Sequence, residues 1–232
     1  LSAMNFIHAR CGGVLVERDG WHQPIRYDSL ENELTNLRSS VGICDVSPTG
    51  KFLIQGNDID SYLSKTSFGF DMAVTGQVIQ HKDSKRPEVD TFRFCRLTEN
   101  EMLLLTNSQQ TTHLSEYIED SMDQCAHIVD ISSGLAGIKI IGPKAKLLLS
   151  SVTNFDLEEK HFGDMSCVQI SLLGIHHFLI RMDVADVFSY ELYFAREYGQ
   201  YIWESLERSG KPFCVAPIGI DSVEYLEKQS KN

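Results

Sequence analysis

The stretch "SLENELTNLRSSVGICDVSPTGKFLIQGND", residues 29–58, changes its period part-way along. Leu30, Leu34, Leu37 and Val41 recur at spacings of four, three and four, which is one stripe of a helix. Ser29 is placed to cap the start of that helix, and Gly42 is expected to end it. "GKFLIQGND" (50–58) then reads as a short strand closed by a turn, and "DIDSYLSKT" (58–66) resumes helical spacing.

Outward from this stretch the two periods keep alternating without regular order. "TFRFCRLTENEMLLLTNS" (91–108) reads as two strands joined about "TENE". "GLAGIKIIGPKAKLLLSS" (134–151) turns from strand to helix at Gly142-Pro143, with proline expected in the first helical turn. "IHHFLIRMDV" and "FSYELYFA" form a further strand pair. "EYGQYIWESLERSG" (197–210) is an amphipathic helix with Tyr198, Ile202 and Leu206 on one face and Gly210 as its stop. Irregular mixing of strands and helices predicts an α+β fold rather than a parallel doubly wound sheet.

With 42% hydrophobic and 23% charged residues in 232, the chain has the composition of an ordinary globular protein. Its 21 basic against 32 acidic residues, a net charge of −11, argue against nucleic acid and anionic membrane surfaces as partners. No run approaches the roughly 18 apolar residues of a membrane span. Cys11, Cys44, Cys95, Cys125, Cys167 and Cys214 are scattered, and "LSAMNFIHAR" lacks the apolar core of a leader peptide. Reduced thiols and a cytoplasmic setting are therefore expected.

Local motifs name no chemistry. Neither GxGxxG nor GxxxxGK[ST] occurs. His176 and His177 are adjacent, so on a strand their rings point to opposite faces, and no metal site is expected. Ser47 near Asp45 is no nucleophile elbow, and nothing in the sequence marks a paired histidine base or an activated cysteine.

The order of several segments carries more. "GGVLVERDGWHQPIRYDS", "LRSSVGICDVSPTGKFLIQGND", "VDTFRFCRLTENEMLLLTNS", "GLAGIKIIGPKAKLLL" and "SYELYFAREYGQYIWESLERSG" together resemble the aminomethyltransferase superfamily of the glycine-cleavage T-protein and folate-dependent demethylases. The matching positions are Gly20-Trp21, Pro24 to Tyr27, Val41-Gly42 with Asp45-Val46-Ser47, Asp90, Asn107, Gly142-Pro143 and Tyr190-Glu191. The resemblance implies a folate-binding α+β fold with mixed and antiparallel sheets and packed helices. Two intertwined subdomains are expected, one roughly over 1–50 plus 130–232 and the other roughly over 51–129. The family's C-terminal barrel-like domain is expected to be absent, making this a short form.

The resemblance also assigns roles. Asp90 matches the first aspartate of the family's "DD" pair, which faces the N10 nitrogen of tetrahydrofolate. A carboxylate there can relay a proton or stabilise positive charge on an iminium-like carbon. Asn107, Glu191 and the adjacent Tyr190 match positions that bind the pterin, whose amino and amide edge pairs well with a carboxylate. Asp90 as a strand-end cap, and the others as ordinary strand-edge polar residues, stay open as alternatives. Trp21 and Tyr27 read as packing residues.

Departures accompany the matches. Thr91 stands where the second aspartate would be, and "RMDVADVFS" (181–189) keeps none of the family's loop glycines. Asp221 and Tyr225 stand where arginines would grip the glutamate tail of folate. The implied function is transfer of a one-carbon unit from a small donor to tetrahydrofolate in one-carbon metabolism. The alternative is a non-catalytic folate-fold subunit, with a protein partner or a second copy completing it.

Overall fold

The computed structural model describes residues 2–61, 74–81, 92–111 and 126–229. The chain is α+β and divides into two compact units. One comprises Leu1–Pro48, Leu135–Asp164 and Gln169–Asn232, and the other Thr49–Gly134 with Met165–Val168.

In the first unit a short helix α1 (Asn5–Arg10) precedes the hairpin β1 (Val14–Arg18) and β2 (Trp21–Arg26). Helix α2 (Leu30–Ser39) follows, its N-terminus capped by Ser29 Oγ accepting from Asn32 N at 3.2 Å. Leu34 and Leu37 turn inward, as their spacing predicts. The helix ends at Ser40 rather than at Gly42, which lies inside strand β3 (Val41–Asp45). A Cβ on Gly42 would stand 2.7 Å from both Leu37 Cδ2 and Ile218 Cδ1, so this glycine serves close packing instead of a helix stop.

The larger sheet is completed by β9 (Leu135–Ile141), β10 (Ser166–Leu172), β11 (Ile175–Arg181), β12 (Ser189–Ala195) and β13 (Val215–Pro217). Its order is β10-β11-β12-β9-β3-β13, with β13 parallel to β3 and with β11, β12, β9 and β3 antiparallel in succession. The β10–β11 turn uses Leu173 and Gly174, both at positive φ, the geometry of a tight two-residue hairpin.

Helix α3 (Ala145–Ser150) starts two residues after Pro143, which lies in the turn and outside the helix. Helix α4 (Gly199–Gly210) buries Ile202, Trp203 and Leu206, while Tyr198 precedes it and is half exposed. Gly210 has ordinary φ and lets Val215 approach, since a Cβ there would meet Val215 Cγ1 at 2.5 Å. The left-handed residue is Cys214, after a 3₁₀ turn. Helix α5 (Ile220–Gln229) closes the unit.

The second unit is an antiparallel sheet ordered β5-β6-β7-β4-β8, from β4 (Gly50–Gly56), β5 (Val78–His81), β6 (Phe92–Thr98), β7 (Glu101–Thr106) and β8 (Ala126–Asp130). The predicted hairpin is β6–β7. Phe52, Ile54, Phe92, Phe94, Met102 and Leu104 form its core, alternating along their strands as the period of two requires.

Candidate functional site

Strand β12 carries Glu191 into the centre of the larger sheet, directly opposite Lys139 on β9, which in turn faces Cys44 on β3. These three side chains share one face because directly paired residues lie on the same side of a sheet. Two residues along, Tyr193 lies opposite Gly137. A Cβ on Gly137 would fall 2.7 Å from Tyr193 Cε1, so the missing side chain admits the ring. From there the Tyr193 hydroxyl donates to Glu191 Oε2 at 2.7 Å.

Lys139 Nζ stands 3.4 Å from Glu191 Oε1 and donates to Glu227 Oε1 of α5 at 2.8 Å. The Lys139 and Glu191 side chains are each 6% exposed, whereas Glu227 is 42% exposed. Burial of isolated charges is costly, and this arrangement pairs them. Cys44 adjoins them as a fully buried thiol pushed well above its usual range by burial and by Asp45, with Lys139 opposing. It stays protonated and unreactive.

Tyr190 belongs to the other face of β12, because neighbours on a strand alternate. Its ring stacks on Phe162 at 6.5 Å, and the Arg181 guanidinium lies 5.9 Å from its centroid. Burial pushes the pKa of its hydroxyl up to about 12, and among the described residues that oxygen has no hydrogen-bond partner. The sheet therefore separates Tyr190 from Glu191. Asn107 directly follows β7 in the second unit, exposed, its carbonyl accepting from Thr111 Oγ1 at 3.4 Å. Asp90 and Thr91 lie outside the described residues. Asp221 opens α5 and pairs with Arg18 at 3.2 Å, and Tyr225 is partly exposed on the same helix.

A histidine–aspartate pair that no sequence spacing marked sits elsewhere in the first unit. Asp45 Oδ2 lies 2.7 Å from His8 Nε2 and accepts from the Ser2 hydroxyl, while Oδ1 accepts from Ser47 N at 2.8 Å. A carboxylate only accepts, so Nε2 carries the ring proton toward it. Tyr27 OH, kept protonated by burial, meets His8 Nδ1 at 2.7 Å. His8 and Asp45 are fully buried and Ser47 Oγ accepts from Gly137 N, so the cluster fastens α1 to β3 and offers no nucleophile.

His176 is exposed and His177 buried, on opposite faces. His177 Nδ1 donates to the Ile175 carbonyl at 2.8 Å, and its Nε2 has no partner among the described residues. Burial pushes its pKa down to about 4. An unfolded chain takes up this proton below about pH 6.5, which the folded chain refuses until about pH 4. The contribution to stability is thus complete above pH 6.5 and lost between there and pH 4, roughly 3 kcal/mol in all. His177→Leu should flatten that slope in denaturant unfolding compared at pH 7 and pH 4.5. An unchanged slope would assign it to other groups.

Among the described residues no three His, Cys, Asp or Glu side chains gather to hold a metal, and no helix is long and apolar enough to cross a membrane. Cys11, Cys44, Cys95, Cys167 and Cys214 are free thiols.

Residues 4–229 match the family model of the GCVT N-terminal domain, and the chain belongs to that family. An aminomethyltransferase of Natranaerobius thermophilus is 25% identical over 230 residues, covering 95% of this chain and 61% of the relative. The chain thus spans about three-fifths of the aminomethyltransferases it matches. Sarcosine oxidase subunit alpha of Rhizobium meliloti is also 25% identical, over 93% of this chain and 24% of that protein. Among solved structures, the glycine cleavage system aminomethyltransferase T of Bartonella henselae superposes with a TM-score of 0.83 over 99% of this chain and 62% of its own, at 16% identity. A chain of a heterotetrameric sarcosine oxidase from Corynebacterium superposes at 0.67 over 93% and 97%, at 17% identity. The fold is that of the matching three-fifths of the aminomethyltransferase T protein.

Proposed function

We propose that the chain takes part in transfer of a one-carbon unit to tetrahydrofolate, with Glu191 as the carboxylate that holds the pterin edge. The observation behind this reading is the state of Glu191. It is nearly inaccessible, one oxygen is fixed by Tyr193, and the other faces a lysine at 3.4 Å that Glu227 holds more closely, at 2.8 Å. A carboxylate so placed can exchange a loose ammonium contact for N–H donors without losing its fixed orientation. The residues fit folate in part. Glu191 suits the donor edge of the pterin, but Tyr190 lies across the sheet and supports the strand from behind.

When bound, tetrahydrofolate supplies the nitrogen that takes the one-carbon unit. Asp90 is the proposed proton carrier beside it, and Asn107 a further polar contact. A small one-carbon donor is the implied second substrate.

A second reading is a subunit that keeps the fold without the chemistry. It is favoured by the two sarcosine oxidase relatives, one named as a subunit and one solved as a heterotetramer, and by the acidic Asp221 where a tail-binding cation would stand. Calorimetric titration with tetrahydrofolate under reducing conditions separates the readings. Under the first, the protein binds at micromolar concentration and Glu191→Gln weakens binding about tenfold or more. Asp90→Asn then leaves affinity within about threefold but lowers transfer at least about 100-fold. No heat from any form would favour the subunit reading and direct the search to a protein partner.

A further inference from the structure

Lys139 is a lysine in the middle of "GIKII", on a strand whose neighbours are otherwise buried aliphatics. Its ammonium lies between two carboxylates of unlike surroundings. Glu191 is nearly inaccessible and held by Tyr193, whereas Glu227 sits on α5, partly exposed to water. The lysine is closer to the more exposed of the two, by 2.8 Å against 3.4 Å.

From this geometry we infer that Lys139 is a built-in occupant of the Glu191 site. It stands where a ligand's N–H donors would go, and entry of ligand hands it over to Glu227. The inference rests on the reading of Glu191 as the ligand-binding carboxylate and adds its specificity. To enter, a ligand must offer that oxygen donors at least as good as an ammonium, as the amino and amide N–H pair of a pterin does. An apolar or acceptor-only edge leaves Lys139 in place. Glu227 makes the handover inexpensive, because the displaced ammonium keeps a carboxylate partner next to solvent instead of being left buried and unpaired.

The two partners of Lys139 should then act in opposite directions on affinity. Lys139→Met keeps the length of the side chain and removes the competitor, and should tighten tetrahydrofolate binding about tenfold. Glu227→Gln removes the second partner, commits Lys139 to Glu191, and should weaken binding about three- to tenfold. In the Lys139→Met background Glu227→Gln should have no effect, since nothing remains for Glu227 to receive.

The test is calorimetric titration of the full chain and these three variants with tetrahydrofolate and with tailless tetrahydropterin. Tryptophan fluorescence melts confirm folding, and Lys139→Gln replaces the methionine variant if that one unfolds. Opposite signs with loss of the Glu227 effect in the double variant support the handover, as does binding by Lys139→Met where the parent protein binds nothing. A parent that binds while either single variant leaves its affinity unchanged, or while Lys139→Met weakens it, overturns the handover and leaves the folate reading standing. Absence of binding in all forms overturns both.

Discussion

Glu33→Leu is expected to lower the stability of the first unit by about 4 kcal/mol, although leucine is apolar, of similar size and a good helix former. Glu33 lies in the first turn and a half of α2 and is 3% exposed. Its Oε1 accepts from Tyr27 N at 2.6 Å and Asp28 N at 3.2 Å; its Oε2 accepts from Gly219 N at 3.0 Å and from the Ser222 hydroxyl. One carboxylate thus ties the end of β2 and the entry to α2 to the start of α5. Gly219 can only be a glycine there, because a Cβ would fall 1.9 Å from the Ile25 carbonyl oxygen. Leucine strands three backbone donors and a hydroxyl, each worth about 1–3 kcal/mol when left unsatisfied, with some recovery through water or local adjustment. Trp21 and Trp203 both belong to this unit, so denaturant unfolding followed by tryptophan fluorescence reads the loss directly. Glu31→Ala, at an exposed position of the same helix, is the control and should stay within about 0.5 kcal/mol. A loss below about 1 kcal/mol for Glu33→Leu would mean that water replaces the carboxylate at little cost.

What the sequence shows and what it hides divide along a physical line. Local periodicity was enough for α2, β4, the β6–β7 hairpin and α4, because each is decided by which of its own residues are apolar. Glycines misled where their role is set by a distant neighbour. Gly42 looks like a helix stop in sequence, yet it lies in a strand and is small because Ile218 packs against it, whereas Gly210 does end α4 and is small because Val215 packs there. The site divides in the same way. Glu191 was legible through the resemblance of "YELYF" to a family strand, whereas Lys139 and Glu227, 88 residues apart in sequence, meet only in the fold. A lysine inside "GIKII" was nevertheless a signal, since a charge within an apolar strand needs a counter-charge beside it. Naming Tyr190 together with Glu191 passed over the alternation of a strand, which places adjacent side chains on opposite faces. His8 and Asp45 are 37 residues apart on a short helix and a strand, with no local spacing to connect them.

Asp45→Ala is expected to cost about 4 kcal/mol and to shift the acid unfolding of the first unit. Burial alone would raise the pKa of this carboxyl, but its bonds to His8, Ser2 and Ser47 outweigh burial and hold it below the usual aspartate value. A carboxyl whose folded pKa is depressed adds stability that is fully present above its unfolded pKa, about 3.9, and is lost as pH falls through the lower folded value. At pH 7 the whole contribution is therefore in place. Alanine removes it, and also leaves His8 Nε2, Ser2 Oγ and Ser47 N without their acceptor in a fully buried pocket beside Trp203. Asp45→Asn separates the two effects. Its side-chain oxygen can still accept one of these bonds, and its amide group finds an acceptor only if the Ser2 hydroxyl or the His8 tautomer turns round, so the loss should be smaller than for alanine, about 2 kcal/mol. Below about pH 3.9 the parent protein should lose stability with falling pH more steeply than Asp45→Ala, because only the parent has this carboxylate to protonate. Tryptophan fluorescence is a direct reporter, since the His8 ring lies edge-on to Trp203 at 5.4 Å. Parallel acid-unfolding curves for parent and Asp45→Ala would show that the buried network is fastened through packing of the His8 and Tyr27 rings, and that the Asp45 charge contributes nothing.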